Sequence, residues 1–523
     1  MKIYTKICAI VALFYCGGNV FAQQNLHLIA TMTGEQAGDS FSVVAGVGDV
    51  NGDGFDDVLV GAPGGNYAKL YFGGAPFDTL ADLKFTGEQL QSLFGNHIAG
   101  VGDVNKDGYD DILISDVRRA WLYFGSPSMD TIPDFEFVGK YLPENMGLTV
   151  AGAGDVNKDG FDDFIIGVPF NEYDLIGRVY LFFGGATLDT VPAITFVGDA
   201  AGQDFFGYGI AGGGDINDDG FDDIIVGAPG GLTGTSIGRV MIYFGGTEMD
   251  SVADVTVYKP DNFEYTLFGL DVSYAGDVNG DGLDDFLALS STNVYLYLGI
   301  DSVYVIPGYS IGAGGDINND GYNDFLVGNP DYIDNSELMV GQVCGYYGAA
   351  LLDTLCDFSV EGETQWGEFS KYMTIAGDIN GDGFDEVIVG APQVPDYQNP
   401  VGKVYIYSYK RSDGVDSSGD PYYLKRFRLD QNYPNPFNST TTISYSLPFS
   451  CHVTIEVFNC MGQKISILIS EKQGQGCHRV VWDGRDKSGK SVSSGIYFAR
   501  IVAQSFSLTK KEHTKIQKLM LLK

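Results

Sequence analysis

At 523 residues and a formal charge of −37, the chain exceeds one ordinary core, and at least two domains are expected. The charge is uneven: residues 1–22 carry +2 and residues 424–523 carry +9, which leaves −48 for residues 23–423. So acidic a main domain would repel phosphate backbones, which disfavours nucleic-acid binding.

Residues 1–22 read as a secretory signal. Lys2 and Lys6 give a charged start, Ile7 to Tyr15 a short apolar run, and Val20-Phe21-Ala22 a cleavage-like end. No later stretch reaches the roughly 18 apolar residues that cross a membrane. Bulky Phe14 and Tyr15 before Cys16 argue against a lipoprotein signal. The mature chain is expected to begin near Gln23 and to be exported. Cys344, Cys356, Cys451, Cys460 and Cys477 then remain, an odd set that leaves at least one thiol over. Cys344 and Cys356 fall on neighbouring predicted strands and could pair. No CxxC supports a zinc or redox role.

Residues 26–34 read as a lone strand. After it comes Asp49-Val-Asn51-Gly-Asp53-Gly54-Phe55-Asp-Asp57, running directly into Val58-Leu-Val-Gly-Ala-Pro63. The pattern returns at Asp103, Asp155, Asp215, Asp277, Asp316 and Asp378, at steps of 39 to 62 residues. Oxygen-bearing side chains stand at loop positions 1, 3, 5 and 9 and glycine at 6, which is the ligand spacing of a calcium loop. Asp and Asn also favour plain turns. That accounts for one such loop, but not for seven with the same alternation.

The candidate ligands are Asp49, Asn51, Asp53 and Asp57; Asp103, Asn105, Asp107 and Asp111; Asp155, Asn157, Asp159 and Asp163; Asp215, Asn217, Asp219 and Asp223; Asp277, Asn279, Asp281 and Asp285; Asp316, Asn318, Asp320 and Asp324; and Asp378, Asn380, Asp382 and Glu386. The main-chain carbonyl at position 7, on Phe55, Tyr109, Phe161, Phe221, Leu283, Tyr322 and Phe384, is the expected further donor. Up to seven Ca2+ ions are expected, ahead of Mg2+, because many flexible oxygens suit the larger ion. Their role would be structural, neutralising clustered acids so that the hairpin can fold. The sixth loop, with Asn318, Asn319 and Asn323, carries fewer charges and should be among the weaker sites. Position 12 is apolar throughout (Val60, Ile114, Ile166, Val226, Ala288, Val327, Val389). An EF-hand or dockerin, which needs a donor there and flanking helices, is rejected.

Each repeat offers four short strands bounded by Gly, Pro and Asp, as in Ser42–Val47, Val58–Pro63, Lys69–Gly74 and Leu83–Glu88. The strand after the loop is continuously apolar, as when both faces are covered. Four strands repeated radially describe a β-propeller blade. The seventh repeat stops one strand short, and the spare strand at 26–34 would complete it. Ala30-Thr-Met-Thr-Gly-Glu35 matches the fourth strand Leu83-Lys-Phe-Thr-Gly-Glu88. Seven blades are expected over residues 23–409.

The repeats resemble the FG-GAP repeats of the integrin alpha-subunit propeller. Phe94-Gly95, Phe206-Gly207 and Phe268-Gly269 carry the likeness, with Met146-Gly147 and Trp366-Gly367 as variants. Gly61-Ala-Pro63, Gly227-Ala-Pro229 and Gly390-Ala-Pro392 carry it too, with Gly167-Val-Pro169 and Gly328-Asn-Pro330 as variants. The resemblance implies a seven-bladed propeller with calcium in the hairpin loops of one face. Ser115-Asp-Val117 and Leu289-Ser-Ser291 depart from it. No inserted adhesion domain is present, so integrin-style ligand capture does not carry over.

Residues 410–428 read as a polar linker and residues 429–523 as a small β-sandwich, with strands at Thr442–Pro448, Val453–Phe458, Val480–Gly484 and Gly495–Arg500. Tyr433-Pro-Asn-Pro-Phe437, Trp482-Asp-Gly-Arg-Asp486, Ser494-Gly-Ile-Tyr-Phe498 and Lys518–Lys523 resemble the C-terminal sorting domain of type IX secretion substrates, related to the Ig-like fold of hook-capping proteins. The resemblance implies the type IX machinery as a partner.

Catalysis finds little support. Gly234-Thr-Ser236-Ile-Gly238 and Gly308-Tyr-Ser310-Ile-Gly312 match a nucleophile elbow, but neither lies between a strand and a helix, and 72 glycines make chance matches expected. The expected function is a non-catalytic adhesion or recognition module at the bacterial cell surface, binding a surface protein or glycan. The alternatives are a propeller-type polysaccharide lyase or hydrolase, or a purely structural surface protein. Fold does not decide among them.

Overall fold

The computed structural model describes residues 26–409 apart from 89–91, 139–148, 171–175, 200–203, 231–236, 261–266, 301 and 396–399. Beyond residue 427 it describes all but 430–436, 438–439, 448–450, 460–461, 474–475, 488–489, 506–511 and 522–523. The signal at 1–22, nearly all of the 410–428 linker, Met146-Gly147, Ser236, residues 433–436 and Cys460 lie outside the described residues. The chain divides into two compact units, Met1–Ser412 and Asp413–Lys523.

Among the described residues the first unit is built from strands alone, in seven four-stranded antiparallel sheets. The first sheet sets the pattern: Val43–Gly46 innermost, then Val58–Ala62, Tyr67–Tyr71 and Leu83–Thr86 outermost. The second strand is buried along its whole length, because neighbouring sheets cover both of its faces. That is the reason for its unbroken apolar run. The innermost strands Val43–Gly46, His97–Gly102, Thr149–Gly154, Ile210–Gly214, Asp271–Gly276, Ser310–Gly315 and Tyr372–Ile375 pack each on the next, and the last on the first. They leave an axial channel of ≈ 420 Å³ lined by small residues such as Ala45, Ala99 and Ala151.

The ring is shut by the chain's own beginning. Leu26–Thr33 is the outer strand of the last sheet and pairs antiparallel with Lys403–Tyr409, from Leu26 opposite Tyr409 to Thr33 opposite Lys403. Met32, Val404 and Ile406 are buried there with Val58, Val60 and Ile388. Each such side chain contributes about 1.5–3 kcal/mol on burial. The other cores likewise lie between successive sheets, as where Leu59, Leu70 and Phe85 meet Ile112, Ile114 and Trp121.

The glycine before Ala-Pro has a packing reason. A β-carbon on Gly61, Gly227 or Gly390 would run into the main-chain oxygen of Gly95, Gly269 or Ser42 in the following sheet. Gly227→Ala is therefore expected to lose about 1–3 kcal/mol by overpacking. Gly185→Ala, with no atom nearer than 4.0 Å to the new carbon, serves as the neutral control in urea unfolding.

One motif assignment is corrected. In the seventh sheet the Phe-Gly place is taken by Phe369-Ser370, not by Trp366-Gly367. Phe369 is buried 5.3 Å from the Tyr405 ring, as Phe94 is 5.2 Å from Trp121. Ser370 has φ 78°, close to the 84° of Gly95. Trp366 is half exposed, and its backbone N–H donates to the Met339 carbonyl. Cys344 and Cys356, which could pair, stand as two free thiols, and Cys356 donates from Sγ to the Phe358 carbonyl at 2.8 Å.

The second unit is a two-sheet sandwich. One sheet orders Arg428–Leu429, Thr441–Leu447 and Gly476–Trp482. The other orders Lys464–Gln473, Cys451–Asn459, Gly495–Ser505 and Glu512–Leu521. Ile443, Tyr445 and Leu447 face Val453, Ile455, Val457 and Ile501 across its core. Trp482 is buried there, and its indole N–H donates to the Arg485 carbonyl at 3.0 Å.

Candidate metal loops

All seven loops join an innermost strand to the second strand of its sheet, so they gather at one end of the ring. The first loop shows how they fold. The Asp49 carboxylate accepts the backbone N–H groups of Gly52, Asp53 and Gly54 at 2.7 to 3.0 Å. Asn51 Oδ1 accepts Asp53 N–H at 2.7 Å, and Asp53 Oδ1 accepts Phe55 N–H at 3.0 Å. These bonds draw the oxygens of positions 1, 3 and 5 to the inside of a tight turn. Gly54 completes it with φ 89°, a left-handed shape that costs glycine little. The other loops repeat the scheme, with Asp103, Asp155, Asp215, Asp277, Asp316 and Asp378 each accepting the N–H of the glycine at position 6.

The acid at position 9 has a second task that spacing alone does not disclose. Asp57 is fully buried. Its Oδ2 accepts Val50 N–H at 2.9 Å and its Oδ1 accepts Gly73 N–H, from the end of the third strand, at 2.7 Å. Asp111, Asp163, Asp223, Asp285 and Asp324 clip their own loops to Gly125, Gly184, Gly245, Gly299 and Gly348 in the same way. In the seventh repeat the longer Glu386 accepts from Ile379 N–H and Asn380 Nδ2.

Burial, with Asp53 and Asp49 adding their like charge, pushes the Asp57 carboxyl up to about 7, against the opposing N–H bonds. Asp111, Asp163 and Glu386 are pushed to about 8 for the same reasons. The clustered acids of these loops thus add to the effect of burial by raising one another.

Two loops keep a bare donor. The buried Oδ1 atoms of Asn105 and Asn318, at position 3 of the second and sixth loops, have no hydrogen-bond partner. A buried amide oxygen left unpaired is costly, and beside carboxylates it is what a hard cation takes up. Among the described residues no three His, Cys, Asp or Glu side chains converge as a ready clamp. The reason is visible: position 3 is an amide throughout, and position 9 is turned toward the strands.

Sequence reasoning missed two further positions that link the loops. The acid at position 8 holds the loop before it: Asp110 Oδ2 accepts Asp49 N–H at 2.9 Å. Asp162, Asp222, Asp284, Asp385 and Asp56 do the same for Asp103, Asp155, Asp215, Asp316 and Asp378 at 2.7 to 2.9 Å. At the remaining seam Asn323 N–H donates to the Asp277 carbonyl at 3.2 Å. Position 4, in turn, meets the next loop: Gly52 lies against Tyr109, Gly280 against Tyr322 and Gly381 against Phe55. The only visible signal was the doubled acid after the aromatic, as in Phe55-Asp-Asp57.

At the opposite end the elbow-like Ser310 is buried on an innermost strand and donates to the Ser370 carbonyl at 2.6 Å. That is a structural bond. Nearby, burial lowers Lys371, but Glu368 2.6 Å away, with Tyr372 and Asp331, raises it overall, while burial pushes Tyr372 up. Neither is tuned as a neutral-pH base.

Comparison with known proteins agrees with this architecture. Residues 41–76, 146–182, 206–243, 307–343 and 374–407 match the FG-GAP repeat family, and residues 431–514 match the secretion system C-terminal sorting domain. The second and fifth loops fall outside the matched stretches, and they are the two followed by Ser115 and Leu289 where glycine stands elsewhere. Integrin alpha-5 of Xenopus laevis is 29% identical over 252 residues, 44% of this chain and 23% of the relative. Integrin alpha-8 of Homo sapiens is 31% identical over 39% of this chain and 20% of its own length. The chain thus spans less than a quarter of these relatives. A solved structure of FLGD from P. aeruginosa is 22% identical, with a TM-score of 0.15, and covers 18% of this chain and 74% of that one.

Proposed function

The chain carries FG-GAP repeats and ends in a secretion system C-terminal sorting domain, and on that footing we propose that it is an exported, calcium-stabilised recognition module. It acts without catalysis at the cell surface, where type IX machinery delivers it. The observation that carries the reading is the repeated donor set, with bare amide oxygens on Asn105 and Asn318. Positions 1, 3 and 5, the position-7 carbonyl and the outer lone pairs of the position-9 acid hold the ion in each loop. Calcium supplies the positive charge that the clustered carboxylates otherwise lack, at the 10⁻⁴–10⁻³ M affinity typical of extracellular modules.

In this reading the loop end of the ring is committed to ions, and the opposite end meets a surface protein or glycan. The test presents the full chain to arrays of surface glycans and purified surface proteins, in calcium and again in chelator. Saturable binding that disappears in chelator is expected. Calcium uptake without saturable binding to any class would overturn recognition and leave a structural role.

A further inference from the structure

Position 4 of the loops changes charge around the ring. It is glycine in the first, fifth and seventh loops, lysine in the second and third (Lys106, Lys158), Asp218 in the fourth and Asn319 in the sixth. All seven residues have a positive φ, between 51° and 78°. That left-handed region favours glycine, and Asp or Asn after it, whose short polar side chains can bond locally. Lysine has no such remedy. The backbone gains nothing from Lys106 or Lys158, so the reason for them lies in where their side chains go.

Both reach across a seam onto the next loop. Lys106 Nζ lies 5.3 Å from the centre of the Phe161 ring, and Lys158 Nζ lies 5.1 Å from that of Phe221. Each ammonium is also the nearest atom to the place where a β-carbon would stand on Gly160 or Gly220. These are positions 6 and 7 of the third and fourth loops, directly after Asp159 and Asp219. The aromatic face seats the cation, so its charge acts on the loop's acids through space. The first, second and sixth loops are faced by Gly381, Gly52 and Gly280 and receive no such charge. The bare oxygens of Asn105 and Asn318 lie in two of those three.

We propose that Lys106 and Lys158 are built-in counter-ions for the third and fourth loops, which makes these two weaker divalent-cation sites than the first and second loops and better able to keep their shape without the ion. The inference rests on the reading of the loops as cation sites. A fixed positive charge beside the site repels the incoming ion, and at low ionic strength the effect on affinity is about tenfold.

The experiment titrates the full chain with calcium chloride by calorimetry at low salt, and melts it in chelator and in calcium. The variants are K106M/K158M, which keeps the stems on the rings but removes the charge, and K106G/K158G, which also frees the backbone. The expected result is a weak class in the parent, of which about two sites tighten about tenfold in both variants. In chelator K106M/K158M melts below the parent, and in calcium it does not. If the parent binds calcium and the weak class is unchanged in both variants, the counter-ion role is overturned while the cation sites stand. If the parent takes up no calcium, the reading of the loops falls and this inference with it.

Discussion

In excess calcium the full chain is expected to unfold at least about 10 °C above the same protein in chelator, with magnesium recovering little of the gap. One site held at a hundred times its dissociation constant adds about 2.7 kcal/mol by mass action. Several sites acting on one closed ring multiply that gain, while each kcal/mol raises the melting temperature of a large domain by about 2–4 °C or less. Melting followed by circular dichroism in the two buffers decides it. Equal melting temperatures would reduce the loops to hydrogen-bonded turns.

The chelated protein should also lose stability as pH rises. Burial and neighbouring acids place Asp57 at about 7 and Asp111 and Asp163 at about 8 in the fold, against 3.8 for an ordinary Asp. A carboxyl with a raised folded pKa favours folding while protonated, and that contribution disappears as pH climbs from about 4 through 8. Chelated protein is therefore expected to melt higher at pH 5.5 than at pH 8. Calcium, by stabilising the ionised form, should flatten the difference.

Asp57→Ala is expected to cost about 3–5 kcal/mol already in chelator and more in calcium, and Asp53→Ala far less in chelator than in calcium. Removing the buried Asp57 carboxylate strands the N–H groups of Val50 and Gly73, each worth about 1–3 kcal/mol when buried without a partner. It also opens a void between loop and third strand. Asp53 is exposed and accepts only from its own loop, so its loss falls mainly on the ion. Paired urea titrations with and without calcium separate the two effects. Identical profiles for both variants would show that position 9 is a ligand and nothing more.

Much of the fold can be read from the chain because each cue is local and repeated. The covered second strand shows as Val58-Leu-Val-Gly-Ala, and the closing strand shows in the likeness of Ala30–Glu35 to Leu83–Glu88. What could not be read depends on contacts between repeats. Trp366-Gly367 looks like the Phe-Gly pair as letters, but the ring requires a buried ring followed by a positive φ, which Phe369 and Ser370 supply. The clasp of Asp110 on Asp49 joins residues 61 apart in the chain, and no spacing rule reaches that far. In the second unit Lys464–Gln473 and Glu512–Leu521 passed unnoticed, the first because it presents many exposed side chains and only a weak alternation. For the loops the donor types were visible, while the turning of position 9 toward the strands was not.

The pairing of Leu26–Thr33 with Lys403–Tyr409 also fixes an order of events. The outer strand of the last sheet is made first and must wait, edge unpaired, until more than 370 residues have followed it. Until then the partly made chain is an open horseshoe with a raw edge at each end. Contacts that distant form late and slowly. The ring is thus a completeness check on its own unit: a chain cut short of Lys403–Tyr409 has no partner strand with which to close.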